Sequence, residues 1–203
     1  MLAWPGVELV GVTTNCEEGG KRAGYARYAL DLAGRTGVPV AAGAGAETGR
    51  YRVTPGLPEE VRYWPEPVRP LPARPDRAVD LLARSIEQGA HIVAIGAYTN
   101  LALLEERYPG ILQHVQLTLM GGYVYPPREG FPQWGHDMDW NVQLDVRSAL
   151  SVIQSANPTF VPLSVTVETW LRRAYLPRLR RGGSLARLIA RQAQAFSQDY
   201  DNE

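Results

Sequence analysis

Five short apolar runs, separated by segments of helical spacing or by turn-rich loops, constrain this chain more than any other feature. They are VELVGVTT at 7–14, VPVAAG from Val38, HIVAIG from His91, VQLTLMGG from Val115 and TFVPLSVT from Thr159. Each is rich in β-branched residues and none alternates cleanly with polar ones. Strands of that kind are covered on both faces, as in a parallel sheet between helical layers.

The intervening segments carry helical periodicity. Ala26, Ala29, Leu30 and Ala33 recur at helical spacing and Gly34 is placed to end that helix, while Ala78, Val79, Leu82, Ala83 and Ile86 share one face of 76–88. Thr99 is expected to cap a helix over 101–107, Asp145 one running to about 156, and Ser184 the last helix from 184. Strand–helix alternation implies right-handed crossovers. The expected fold class is therefore α/β: one domain over 1–203 with a mostly parallel, Rossmann-like open sheet flanked by helices. Seven prolines fall between Pro55 and Pro75. Because proline lacks an N–H and fixes φ, the stretch 53–75 is expected to be a long extended loop without helix or central strand.

Composition removes several function classes. Lys+Arg and Asp+Glu are balanced at 21 each, so neither a polyanion-binding surface nor an acidic tail is expected, and nucleic acid is excluded as a partner. No apolar run approaches the roughly 20 residues that span a bilayer, and the N-terminus lacks the basic and apolar regions of a leader, so no membrane partner and a cytoplasmic location are expected. Cys16 is the single cysteine, which rules out an intramolecular disulfide and a cysteine-built zinc site.

In parallel sheets ligands bind beyond the C-terminal strand ends. That rule selects 13–20, 95–100, 120–141 and 164–170. The motifs there, in order, are GVTT at 11–14, VAIGAYTNLALL at 93–104, LTLMGG at 117–122 with DWNVQLD at 139–145, and VPLSVTVETWL at 161–171. Together they resemble the inosine–uridine-preferring nucleoside hydrolase family, whose members read GVTT…AGN, G-x-L-T-N-L-A, MGG…EFN-x-x-x-D-P and GLDVT…L. The resemblance implies the nucleoside hydrolase fold and hydrolysis of a ribonucleoside, a small molecule, to ribose and free base through an oxocarbenium-like sugar and a calcium-bound water.

Carried over by position, the resemblance implies that Ile95 offers its backbone carbonyl to the metal, that Met120 packs on the ribose, and that Asp139 and Asn141 hydrogen-bond its hydroxyls. Asp139 stands where the family more often has Glu, one methylene longer. The Asn of the family's AGN falls near Glu18 or Gly19, so by the resemblance either Asn15 substitutes for it as a ribose contact or that contact is absent. The family's first strand, with its D-x-D-x-G-x-D-D cluster, would lie before Met1, and its late His-Asp pair after the last residue. No catalytic residue is therefore assigned, the calcium site is expected to be incomplete, and the chain is expected to be inactive alone. Without that strand, two unpaired sheet edges should favour marginal stability and self-association as a homo-oligomer.

Blander readings accompany these. Asp137 and Asp139 could form an acid–base dyad on an extended segment or be surface carboxylates, and His136 a ligand or a solvated loop residue. Cys16 could be a nucleophile or a buried thiol, Met120 a ribose contact or core. GAGAETG at 43–49 has the glycines of a phosphate loop without the helix that should follow it. The arginines from Arg172 to Arg181 read as a solvated helix face. Two rival functions stand beside hydrolysis: a non-catalytic module of the same fold that binds nucleoside or ribose or serves in an interaction, and an unrelated doubly wound nucleotide-binding or glycosyl-transferring enzyme.

Overall fold

The computed structural model describes residues 4–53 and 56–199. Its strands are the centres of the five apolar runs, trimmed to the residues that find ladder partners. β1 (Val12–Thr14) pairs parallel with β2 (Val40–Ala42), Val12 opposite Val40 and Thr14 opposite Ala42. β3 (Ile92–Ala94), β4 (Leu117–Met120) and β5 (Thr159–Val161) form a second parallel sheet in that order, Ala94 opposite Leu119 and Met120 opposite Val161. Among the described residues no ladder joins β1 to β3. Among the described residues the open parallel sheet of the sequence reading is thus divided into two parallel sheets, with helices flanking both.

The helices are α1 (Lys21–Leu32), α2 (Glu60–Tyr63), α3 (Asp76–Glu87), α4 (Thr99–Arg107), α5 (Trp140–Gln143), α6 (Val146–Ser155), α7 (Leu163–Thr166), α8 (Leu176–Arg180) and α9 (Ser184–Asp199). α3, α4 and α6 build one layer. They enclose the main core, in which Tyr98, Leu104, Leu112, Leu119 and Val152 are fully buried. α3 touches both β1 and β2 as well as α4, so one helix bridges the two sheets.

Alternation along the strands of the larger sheet follows from this one-sided cover. Leu117 and Leu119 point into the helical layer, and Ile92 and Ala94 pack against the same core. Val93 and Ile95 point the other way and are 41% and 74% exposed. A parallel sheet is ordinarily covered on both faces, and this face is bare around β3.

Several local expectations need correction. β1 starts at Val12, so residues 7–11 lie outside the strand; Val7 N–H instead closes a turn on the Trp4 carbonyl at 3.3 Å. β5 stops at Val161 because Pro162 cannot donate to a ladder, and the chain turns into α7. α4 begins at Thr99 with no side-chain cap, and α9 begins at Ser184, whose hydroxyl accepts from Arg187 at 3.1 Å. Asp145 does cap α6, accepting Ser148 N–H at 2.9 Å.

The proline-rich segment is also more than a loop, although Thr54 and Pro55 lie outside the described residues. Between Pro58 and Pro65 the chain makes one helical turn, α2, and Glu60 Oε1 accepts Val68 N–H at 2.9 Å. The segment straps α1. Trp64 stacks on Tyr25 with centroids 4.4 Å apart and meets Tyr28 edge-on at 5.6 Å, while Tyr63 OH donates to Asp199 of α9 at 2.6 Å. Leu71 N–H bonds the Gly20 carbonyl at 2.9 Å, and a side chain at Gly24 would press into the Arg69 carbonyl.

That contact is backbone, which cannot swing away. Overpacking should cost about 1–3 kcal/mol, against the roughly 1 kcal/mol by which alanine ordinarily favours a helix over glycine, so Gly24→Ala should lower stability by up to about 2 kcal/mol. Urea unfolding measures this; a stabilised variant would show that the strap is not seated on α1.

Candidate functional site

Asn15, just past β1, donates its Nδ2 to the Ala97 carbonyl, just past β3, at 2.9 Å. Asn100, in the first turn of α4, is 5% exposed and donates its Nδ2 to the Thr14 carbonyl at 2.8 Å while its Oδ1 accepts Ala44 N–H at 2.9 Å. The C-terminal ends of both sheets are therefore held side by side. The glycines nearby are required by this closeness: a side chain at Gly43 would overlap Asn100 and the Thr14 carbonyl.

The next strand end carries the densest cluster. Ala94 pairs with Leu119, so Ile95 and Met120 leave neighbouring strands together. The Met120 carbonyl accepts from Asn141 Nδ2 at 2.8 Å and from Tyr98 OH at 3.1 Å, and Asn141 Nδ2 also lies 2.7 Å from Met120 Sδ. Asp139 is 4% exposed. Its Oδ2 accepts Gly122 N–H, and its Oδ1 accepts Val142 N–H at 3.3 Å as the cap of α5. Gly121 and Gly122 adopt φ of +149° and +89°, which lets the chain turn over Tyr98.

Asn141 and Met120 are thus joined by a hydrogen bond, Asp139 is tied to the flanking Gly122 and Val142, Ile95 follows the adjacent strand, and Asn15 braces the residue two past Ile95. Met120 and Asn141 are half-buried and present an edge to solvent, whereas both carboxylate oxygens of Asp139 are taken by backbone N–H groups.

Three other residues that the sequence reading did not place in the site support this arrangement. Tyr98 is fully buried, and its hydroxyl is shifted to higher pKa by burial and then by the charge of Asp139. Thr99 does not cap α4. Its Oγ1 donates to Asp145 Oδ2 at 2.7 Å, locking the start of α4 to the start of α6. Asn100 spans the sheets as described. A single sequence offers one hint of these, the clustering of YTN directly after a strand.

The remaining candidates resolve simply. Residues His136–Met138 form a 3-10 turn, so Asp137 is exposed while Asp139 is buried, and the two do not face a common side. His136 packs edge-on against Tyr123 with centroids 6.4 Å apart. Cys16 is buried, its amide bonded to Tyr51 OH at 3.0 Å, and burial raises its thiol pKa, the opposite of an activated nucleophile. In GAGAETG, Glu47 Oε1 accepts Gly45 N–H at 3.1 Å, so a carboxylate occupies the amide a phosphate would need.

A calcium ion needs about 6 to 8 oxygen donors. Among the described residues no group of three or more His, Cys, Asp or Glu side chains could hold a metal, and the Ile95 carbonyl by itself is no cage. The residues described do not fit that ion.

Parallel strands with flanking helices define an α/β protein, with a polar cluster at its strand ends. Along its whole length, residues 1–203, the sequence matches the family described as inosine-uridine preferring nucleoside hydrolase, and the chain belongs to that family. A Schizosaccharomyces pombe protein, C1683.06c, is 30% identical over 179 residues, which cover 81% of this chain and 56% of that protein. The chain thus spans about half the length of that relative.

Among solved structures, a purine-preferring ribonucleoside hydrolase from Gardnerella vaginalis superposes with a TM-score of 0.78 at 21% identity, covering 98% of this chain and 67% of that one. The plant nucleoside hydrolase PpNRh1 gives 0.65 at 20% identity, with coverage of 98% and 67%. These likenesses establish the nucleoside hydrolase fold. Among the described residues no helix is long and apolar enough to cross a membrane.

Proposed function

We propose that this chain forms the ribose-holding wall of a nucleoside hydrolase pocket and binds ribonucleosides there. The observation that supports this best is the convergence of Asn141 and Tyr98 on the Met120 carbonyl, with Asp139 locking the next turn. In this reading Met120 supplies an apolar, polarizable surface for the sugar ring. Asn141, whose amide N–H is spent on Met120, offers its amide oxygen to a sugar hydroxyl. Asp139 shapes the site by fixing Gly122, and its remaining lone pairs are the reserve acceptor for a second hydroxyl. Asn15 and Ile95 form the opposite rim.

Cleavage of the glycosidic bond needs an activated water as well as a held sugar. A calcium-bound water is the expected agent in the complete site, and the donors described here do not assemble one. The binding half of the reaction is what this chain provides, which is also the reading of a non-catalytic ribose-binding module.

Equilibrium dialysis of the chain against inosine, uridine, ribose and free hypoxanthine, with base release followed by absorbance with and without calcium, tests both halves. Binding of ribose and both nucleosides without base release is the expected result. Binding of free base in preference to ribose would overturn the ribose reading, and base release by this chain would overturn the account of the metal donors.

A further inference from the structure

We propose that Tyr98 is a positioning residue of this site: its buried hydroxyl and the Asn141 amide grip the Met120 carbonyl together, so that Tyr98 sets how Asn141 is presented to a ligand. The inference deepens the ribose reading and rests on it for its meaning, but not for its test.

The family pattern G-x-L-T-N-L-A has Leu where this chain has Tyr98. An aliphatic side chain would fill the same core between α3, α4 and β4, because Tyr98 packs among Leu101, Leu119 and Val152. Packing therefore does not call for a hydroxyl. A hydroxyl buried to 0% exposure needs a partner, and it finds the Met120 carbonyl at 3.1 Å. That carbonyl already accepts from Asn141 Nδ2 at 2.8 Å, so both of its lone pairs are occupied. The peptide plane before Gly121 is then fixed from two sides.

This matters because two glycines follow, which would otherwise leave the turn free to choose among conformations. Tyr98 also limits what can stand above it. A Cβ at Gly121 would lie 2.5 Å from Tyr98 OH and 3.4 Å from each Asp139 carboxylate oxygen, which puts the hydroxyl and the carboxylate on adjoining sides of the turn. The hydroxyl pKa, raised by burial and by Asp139, keeps it a donor at every physiological pH. With its NH2 against the Met120 carbonyl and Met120 Sδ, Asn141 turns its amide oxygen outward, an acceptor for a donor such as a sugar hydroxyl.

Tyr98→Phe retains the ring and removes the donor. Three readouts on the full chain separate positioning from core packing. Gly122 amide exchange, by NMR, should quicken, and the Asn141 side-chain NH2 resonances should shift. Ribose affinity should fall about five- to tenfold, the size of one neutral hydrogen bond at a factor of ten per 1.4 kcal/mol. Placing Tyr98→Phe on an Asn141→Ala background should leave ribose affinity where Asn141→Ala alone puts it, because the tyrosine acts through the asparagine. Unchanged Gly122 exchange and Asn141 resonances would overturn the proposal, as would an equal loss of affinity on both backgrounds. If the wild-type chain binds no ribose, the ribose reading fails, and the exchange and resonance data still decide whether Tyr98 holds the turn.

Discussion

Asp145→Ala should be among the most damaging single substitutions in this chain, costing about 2–5 kcal/mol out of the 5–15 kcal/mol typical of a domain. Asp145 is fully buried and serves two helices at once. Its Oδ1 accepts Ser148 N–H at 2.9 Å, and its Oδ2 accepts Thr99 Oγ1 at 2.7 Å. Loss of the cap accounts for about 0.5–2 kcal/mol. Breaking the bond between its carboxylate and the Thr99 hydroxyl, also fully buried, adds about 1.5–3 kcal/mol, the worth of a hydrogen bond to a charged group.

The two contributions can be separated. Thr99→Val removes the other half of that bond, so in the Asp145→Ala background it should cost less than it does alone, giving a coupling of at least about 1 kcal/mol in a double-mutant cycle. Denaturant unfolding of the four proteins is the measurement. Additive losses would mean that the α4–α6 junction does not depend on this bond.

The same pair shows where sequence reading stops. Asp145 was legible as a cap because capping is local, and the aspartate stands three residues before the N–H it accepts. Thr99 has the same capping chemistry and the same position before a helix, yet its partner is 46 residues away, and nothing local distinguishes the two uses. Asn100 bonds a carbonyl 86 residues back, which makes it equally invisible.

Strand centres and helix faces were legible because their periodicity is local. Strand ends were not, because a residue such as Leu9 counts as strand only if a partner lies beside it. The helical turn at Glu60–Tyr63 was hidden for a related reason: prolines at 58 and 65 forbid helix at their own positions but leave room for one turn between them. Met120 and Asn141 could be placed near a site from their motif, while the part played by Tyr98 required seeing its hydroxyl reach β4.

Asn100→Ala should have the second large effect, and on a different property. Asn100 is the only side chain among the described residues found to bond both the Thr14 carbonyl, in β1, and Ala44 N–H, just past β2, while Asn100 itself belongs to the helix that follows β3. Removing it leaves the buried Ala44 N–H without its partner, while the Thr14 carbonyl keeps Gly43 N–H at 3.1 Å, and should cost about 1–3 kcal/mol. Because no ladder among the described residues ties β1 to β3, the loss should act on the joint between the sheets. Amides of β1 and β2 should gain exchange while those of β4 retain protection, the signature of a local opening. Asn15→Ala supplies the comparison. Asn15 makes one half-buried bond across the same joint, at 2.9 Å to the Ala97 carbonyl, so its removal should cost no more than about 1 kcal/mol. If the two substitutions proved equally mild, the sheets would have to be held together by the shared α3 layer alone, and the strand-end site would not need Asn100 to bring its two rims into register.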